Sequence, residues 1–215
     1  MARVRARRTL ENALRRWGFH RVAGCDEVGR GCLAGPVTAG AVILDPERHI
    51  PGLSDSKLLS AAQREELYVA ITGAALAWSV ASVAAAEIDA LNIHRASLEA
   101  MRRAVDALAP LPGVVIVDAF RIPGLAMAQR AVVGGDRRCS AVAAASIVAK
   151  VTRDREMVSH HEADPRYGYH RHKGYGTAEH VAALAAHGYS ALHRRSFRVP
   201  SPFLSRSLWH QIDNH

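Results

Sequence analysis

Residues 114–117 read Val-Val-Ile-Val and are followed at once by Asp118. A β-branched run with no polar position on either side is typical of a strand buried on both faces, and such a strand needs helices above and below its sheet. Further short strand-like runs alternate with helical ones along the chain, so it reads as an α/β domain. Open α/β sheets place their chemistry at the carboxyl ends of strands. Asp118 stands at such an end, before the turn-forming residues 119–124.

A second strand makes the same offer. Val22, Ala23, Gly24 and Cys25 form a short apolar run closed by Asp26 and Glu27. Successive strand side chains point to opposite faces, so one carboxylate can face a cleft while the other approaches from the edge, an arrangement that suits a metal ion. Gly29, Arg30 and Gly31 follow. With no Cβ on either flank of the arginine, this backbone can come close to a ligand and present N–H groups to oxygen atoms, as phosphate sites do. Taken alone, an Asp-Glu pair before a glycine loop is also what a solvated strand end looks like.

The remaining elements follow from periodicity and punctuation. Residues 5–17 carry Leu10, Leu14 and Trp17 at helical spacing among arginines and predict a basic amphipathic helix packed on the sheet. Residues 37–44 predict a strand in a hairpin with the first, and Ser60 to Gln63 a capping box that opens a helix to about Thr72. A third strand is expected over 77–84, then one helix over 85–108 ended by Pro110, Pro112 and Gly113. A short strand over 129–133 leads to Gly134, Gly135 and Asp136, and Ser140 opens a strong helix to about His160. Residues 166–177 interleave aromatics, glycines, histidines and basic residues, the texture of a loop that clamps a nucleic-acid backbone and offers a stacking ring. Thr177 caps a last helix over 178–186, and an irregular tail begins at His193.

Lys and Arg number 28 against 20 Asp and Glu, for a net charge of +8. That balance suits a polyanionic partner, although a basic surface also serves solubility alone. A chain of 215 residues, 49% hydrophobic, is long enough for one α/β core and holds no membrane-length stretch free of charges or helix breakers. Cys25, Cys32 and Cys139 are odd in number and lack C-x-x-C spacing, which argues for packing roles in a reducing cytoplasm. The basic N-terminus is followed by no apolar segment, so no targeting signal is expected.

Asp26, Glu27, Asp118 and Asp136 thus stand at or just past predicted strand ends. Brought together, four carboxylates raise one another's pKa unless a cation neutralises them. All-oxygen ligation selects Mg²⁺ or Mn²⁺ over zinc. Two such ions about 3.5–4 Å apart can activate a water and stabilise the leaving oxygen of a phosphodiester. His160, His161, His170 and His172 lack cysteine partners at zinc spacing and read as solvated or phosphate-facing. Asp154, between Arg153 and Arg155, reads as an ion-pair partner. Lys57, Lys150, Lys173 and Arg194 face nucleic acid in this reading, with plain surface charge the competing account of Lys57 and Lys150.

The motifs DEVGRG with LAGP, DSK with LS, EIDALNI, VVIVDA, GGD, AAASIVAKVTRDR, HKGYGT and HRRSF occur in that order over residues 22–197. This set resembles that of bacterial ribonuclease HII, the type 2 ribonuclease H family. The resemblance implies a ribonuclease H-like α/β fold: a five-stranded mixed sheet, three antiparallel strands then two parallel ones, flanked by helices, with a C-terminal helical extension. It divides the chain into a basic helix over 1–20, a catalytic domain over 21–165, and an extension and tail contacting nucleic acid over 166–215. It implies Asp26, Glu27, Asp118 and Asp136 as catalytic ligands of two Mn²⁺ or Mg²⁺ ions. Gly29, Arg30 and Gly31 match the loop that senses the ribose 2′-OH, and Tyr175 the ring that packs on the deoxyribose 3′ of the ribonucleotide.

The implied reaction is cleavage on the 5′ side of a ribonucleotide in a duplex, leaving a 3′-OH and a 5′-phosphate. RNA/DNA hybrids and DNA duplexes containing ribonucleotides are the implied partners of a cytoplasmic monomer that uses no membrane. Cys32 stands where the family usually has proline, Leu58 and Gly135 where it has lysine, and Ala119 where it has glycine. The two missing cations should weaken local phosphate attraction. A transposase-like or junction-resolving nuclease would share the carboxylates without needing Gly-Arg-Gly and Tyr175, and a non-catalytic nucleic-acid-binding protein would need no metal.

Overall fold

The structure is a computed structural model and describes residue 6 and residues 8–199. Its five strands are β1 Val22–Val28, β2 Val37–Leu44, β3 Ala75–Val83, β4 Val114–Asp118 and β5 Ala128–Val132. They form one sheet in the order β3-β2-β1-β4-β5. β1 pairs antiparallel with β2 and parallel with β4, and β4 is parallel to β5, which gives the expected mixed sheet. The helices are α1 Thr9–Arg16, α2 Ala61–Ala74, α3 Ala85–Leu91, α4 Ile93–Asp106, α5 Gly135–Arg138, α6 Ser140–Ala163, α7 Tyr169–His172 and α8 Ala178–His187.

The chain forms two compact units. Of the described residues, one takes those up to Val28 with Thr38–Ser82 and Ser97–Thr152; the other takes Gly29–Val37, Val83–Ala96 and those from Arg153 to Val199. In the first, the apolar residues of β4 are all buried, as their unbroken run demands. The start of α6 lies against β1 and β2 with almost nothing between them. A Cβ on Gly24 would sit 2.1 Å from the Ala141 carbonyl carbon, and one on Gly40 2.5 Å from the Ala145 oxygen. Ala141, Ala145 and Ala149, all buried, form this seam from the helix side. Glu11 on α1 accepts the Ala141 N–H at 2.9 Å and so satisfies one free donor of the α6 N-terminus.

The second unit is packed around Leu33, Val181 and Leu184 and around Ala34, Met157, Tyr167 and Tyr169. All three cysteines are buried and in no disulfide, in keeping with packing roles.

Four details differ from the sequence-based expectations. β1 continues through Asp26 and Glu27, because its pairing with β2 runs on to Val28 opposite Thr38. The single helix expected over 85–108 is two, broken at Asn92, whose φ of 71° is tolerated by asparagine and whose side-chain oxygen accepts the Arg95 N–H at 3.1 Å. Trp17 is 71% exposed, so the apolar face of α1 ends at Leu14; Arg5 lies outside the described residues. Residues 166–177 are not one loop. Asp164 caps a short turn, Pro165–Tyr167, and Gly168 at φ 70° links it to α7.

Candidate active site

In the parallel pair of β1 and β4, Cys25 stands opposite Val117. The next residues, Asp26 and Asp118, are therefore neighbours on adjacent strands, about 4.8 Å apart across the ladder and on the same face. Asp26 is 6% exposed, and its Oδ1 accepts the Glu27 N–H at 2.8 Å. Asp118 Oδ1 accepts the Gly135 N–H at 2.7 Å, which ties the end of β4 to α5 and brings in Asp136 on that helix. Gly135, where the resemblance calls for lysine, is buried here, and a Cβ would already press Val142 at 3.1 Å.

The electrostatics join these groups. Burial first, then the charges of Glu27 and Asp118, push Asp26 well above the ordinary carboxylate range, against a side-chain bond from Ser146. Burial, then Asp55 and Asp118, raise Asp136, with the Lys57 ammonium opposing them. Lys57 is exposed and close enough to Asp136 to act on it, while Lys150 is partly buried. Asp55 and Ser146 are site neighbours that sequence reasoning missed. Both lie inside quoted motifs, DSK and AAASIVAK, where a one-letter pattern gives no direction for a side chain.

An all-oxygen set in which burial and like charge both oppose ionisation is one that a hard divalent cation relieves, so the residues fit such an ion. Among the described residues, no three carboxylate, imidazole or thiol groups converge on one closed metal position. The carboxylates form an open row, with Asp118 acting on both Asp26 and Asp136.

The second unit holds the glycine-flanked arginine and the tyrosine. Gly29 has a φ of 87°, and a Cβ there would meet the Arg153 side chain at 2.3 Å. Gly31 is exposed, with nothing within 4 Å of an added Cβ. Arg153, fully buried, donates to the carbonyls of Pro36 at 2.8 Å, Lys173 at 2.9 Å and Ala34 at 3.2 Å. Arg194 is 1% exposed and donates to Gly35 O and Arg30 O, each at 3.0 Å. Burial pushes its guanidinium down to about 10. Arg194 thus grips the loop from beneath instead of presenting its charge to solvent.

The Leu33 N–H donates to Gly174 O at 2.8 Å, and Cys32 bridges Tyr175 in antiparallel fashion. Tyr175 itself is 39% exposed. Lys173 has a φ of 51°, and its ammonium donates to the His170 carbonyl. His172, read from sequence as solvated or phosphate-facing, is buried, because its ring stacks on His180. The buried roles of Arg153, His180 and His193 carried no sequence signal beyond the basic second half of α6 and the motif letters.

A mixed five-stranded sheet of this order, with an acidic row at the ends of β1 and β4, defines a ribonuclease H-like α/β protein. The model of the ribonuclease HII family matches residues 23–199, and the chain belongs to that family. It is 53% identical over 193 residues to the ribonuclease HII of Nocardia farcinica, covering 89% of this chain and 77% of that protein. It is 54% identical over 184 residues to that of Nitrosococcus oceani, covering 86% and 92%. Its fold is similar to the crystal structure of ribonuclease H2 from Pyrococcus horikoshii, with a TM-score of 0.73 and 26% identity, covering 91% of this chain and 100% of that one. The protein is therefore a ribonuclease H, an endoribonuclease acting on RNA/DNA hybrids, in a family that depends on divalent metal. No described helix is long and apolar enough to cross a membrane.

Proposed function

We propose that this ribonuclease H, besides cutting the RNA strand of hybrids, incises duplex DNA on the 5′ side of single embedded ribonucleotides, leaving 3′-OH and 5′-phosphate ends. The observation that carries the reading is the shared frame of the Gly-Arg-Gly loop and the Tyr175 turn: buried Arg153 packs against Gly29 and bonds the carbonyls of Ala34, Pro36 and Lys173, and buried Arg194 bonds that of Arg30. A 2′-OH both donates and accepts hydrogen bonds, and the exposed backbone at Gly31 can offer it polar main-chain groups at close range, while Gly29, buried against Arg153, sets the turn. The Tyr175 ring, 39% exposed, would pack on the neighbouring deoxyribose.

Asp26, Glu27, Asp118 and Asp136 would hold two Mn²⁺ or Mg²⁺ ions. Ions of this kind, when bound, supply a deprotonated water and positive charge for the leaving oxygen. Asp118 is the pivot of the row, oriented by the Gly135 N–H. Lys57, Lys150 and Lys173 add positive charge for the phosphate backbone, and Arg194 acts on substrate through the loop it holds. Residues 166–215, of which those after Val199 lie outside the described residues, serve as the extension that contacts nucleic acid, and the enzyme acts as a cytoplasmic monomer.

The test is cleavage of a DNA duplex carrying one ribonucleotide, beside an all-DNA duplex, with Mn²⁺ or Mg²⁺ and with chelator. Metal-dependent incision only at the 5′ side of the ribonucleotide is expected. Cutting of both duplexes would overturn the 2′-OH reading, and cutting of neither the embedded-ribonucleotide activity.

A further inference from the structure

Three imidazoles are buried together in the second unit: His180, fully inaccessible, with His193 and His172 almost so. Their partners settle which nitrogen of each carries the proton. The Ser190 backbone N–H, which can only donate, points at His193 Nδ1 from 2.9 Å. That nitrogen therefore accepts, and neutral His193 carries its proton on Nε2. His193 Nε2 lies 3.1 Å from His180 Nε2, which must then accept. His180 is left with its proton on Nδ1, 3.0 Å from the main-chain carbonyl of Tyr175. His172 obeys the same logic: Nδ1 accepts the Gly174 N–H at 3.2 Å, so Nε2 donates to Tyr167 O at 2.8 Å. Its ring stacks on His180 at 4.4 Å and 14°.

Every bond in this chain is satisfied with neutral rings, and adding a proton to either His180 or His193 would place two donors face to face. Tyr169 and Tyr167 wall the cluster edge-on, 5.6 Å from His180 and 4.9 Å from His193. The charged groups that act on it, Arg171 and Lys173 on His172 and Arg195 on His193, are all positive.

We propose that Ser190, His193 and His180 form a directed hydrogen-bond relay that ends on the Tyr175 carbonyl, making His180 a positioning residue for the tyrosine. The inference rests on the reading of Tyr175 as the group that recognises the DNA side of the ribonucleotide. The Ser190 N–H, which can only donate, sets the sense of the whole relay, and the Ser190 hydroxyl, 2.9 Å from the same nitrogen, can donate beside it. The turn 172–175 is thereby held by His180 at its carbonyl and, on its other strand, by the bridge to Cys32.

Two measurements test it. Long-range ¹H–¹⁵N spectra of the full chain labelled at histidine should show, at pH 7, His193 protonated on Nε2 and His180 on Nδ1. A His180 proton on Nε2, or on both nitrogens, would overturn the relay. In cleavage assays, the ratio of kcat/KM on a one-ribonucleotide duplex to that on a uniform hybrid should fall on the order of fivefold in His180→Leu, the loss of one hydrogen bond. His180→Asn, whose amide can donate from near the Nδ1 position, should restore most of that ratio. In a Tyr175→Ala background, His180→Leu should change it no further.

A ratio unmoved by His180→Leu while Tyr175→Ala lowers it, or a further fall in the double variant, would refute the positioning role. If Tyr175→Ala alone leaves the ratio unchanged, the tyrosine reading fails, and the relay stands or falls on the spectra. Should His180→Leu not fold, His180→Asn and the spectra decide.

Discussion

In the sheet unit, Asp26 and Asp118 owe their positions to ladder hydrogen bonds that any two residues at that register would make. In the other unit, Arg30 and Tyr175 are placed by individual side chains reaching to main-chain carbonyls: Arg194 to Arg30, and His180 to Tyr175. The first arrangement survives conservative change in the surrounding core, since the ladder does not depend on which apolar residue fills it. The second depends on specific donors, because a buried carbonyl that loses one loses free energy, although the Tyr175 carbonyl would keep the Thr177 N–H at 2.8 Å. Under the proposed function, chemistry and discrimination would rest on two kinds of scaffold, and they should fail separately.

The largest effect is expected at the acidic row. Asp118→Asn should lower cleavage by on the order of 10³-fold, about 4 kcal/mol of transition-state stabilisation, while hybrid binding by fluorescence anisotropy stays measurable. Retained activity would remove Asp118 from the site. Next comes the loop scaffold, where Arg153→Met strips the partner from three carbonyls and should cost about 3 kcal/mol or more in urea unfolding. An equal cost from Ile116→Val in the sheet, where about 1 kcal/mol is expected, would erase the contrast between the two scaffolds.

Acid should act on the histidine side of the contrast. Burial, then the neighbouring imidazole, holds His180 down to about 4 and His193 to about 3, against an ordinary 6.5. The unfolded chain therefore binds protons first as pH falls. Stability is unaffected above pH 6.5 and is lost progressively below it, ending near pH 4 for His180 and pH 3 for His193. The slope approaches about 1.4 kcal/mol per pH unit for each histidine, and His180→Asn should flatten it in urea titrations between pH 6 and 4.5. An unchanged slope would mean that this imidazole is not held neutral.

Periodic features were legible. The β-branched run of β4, the capping box of α2 and the threonine cap of α8 each signal themselves within a few residues, and each appears as expected. The ends of β1 and β4 could be named because a carboxylate after an apolar run is a local pattern. The break at Asn92 was hidden by an apolar face that continues through it, and the left-handed asparagine is a matter of one torsion angle. Arg153, Arg194, His180 and His193 look like surface residues in a basic sequence. Only long-range packing turns their donors inward, onto carbonyls as many as 164 positions away, as with Arg194 and Arg30, or onto a neighbouring ring, as with His193.

The seam where Gly24 and Gly40 meet the backbone of α6 has a mechanical consequence. With main chain touching main chain there, little empty space is enclosed between helix and sheet, so little volume is released when this layer comes apart. Hydrostatic pressure unfolds proteins by eliminating such voids. This face of the sheet unit should therefore yield late under compression, while substitutions that widen it would soften it first.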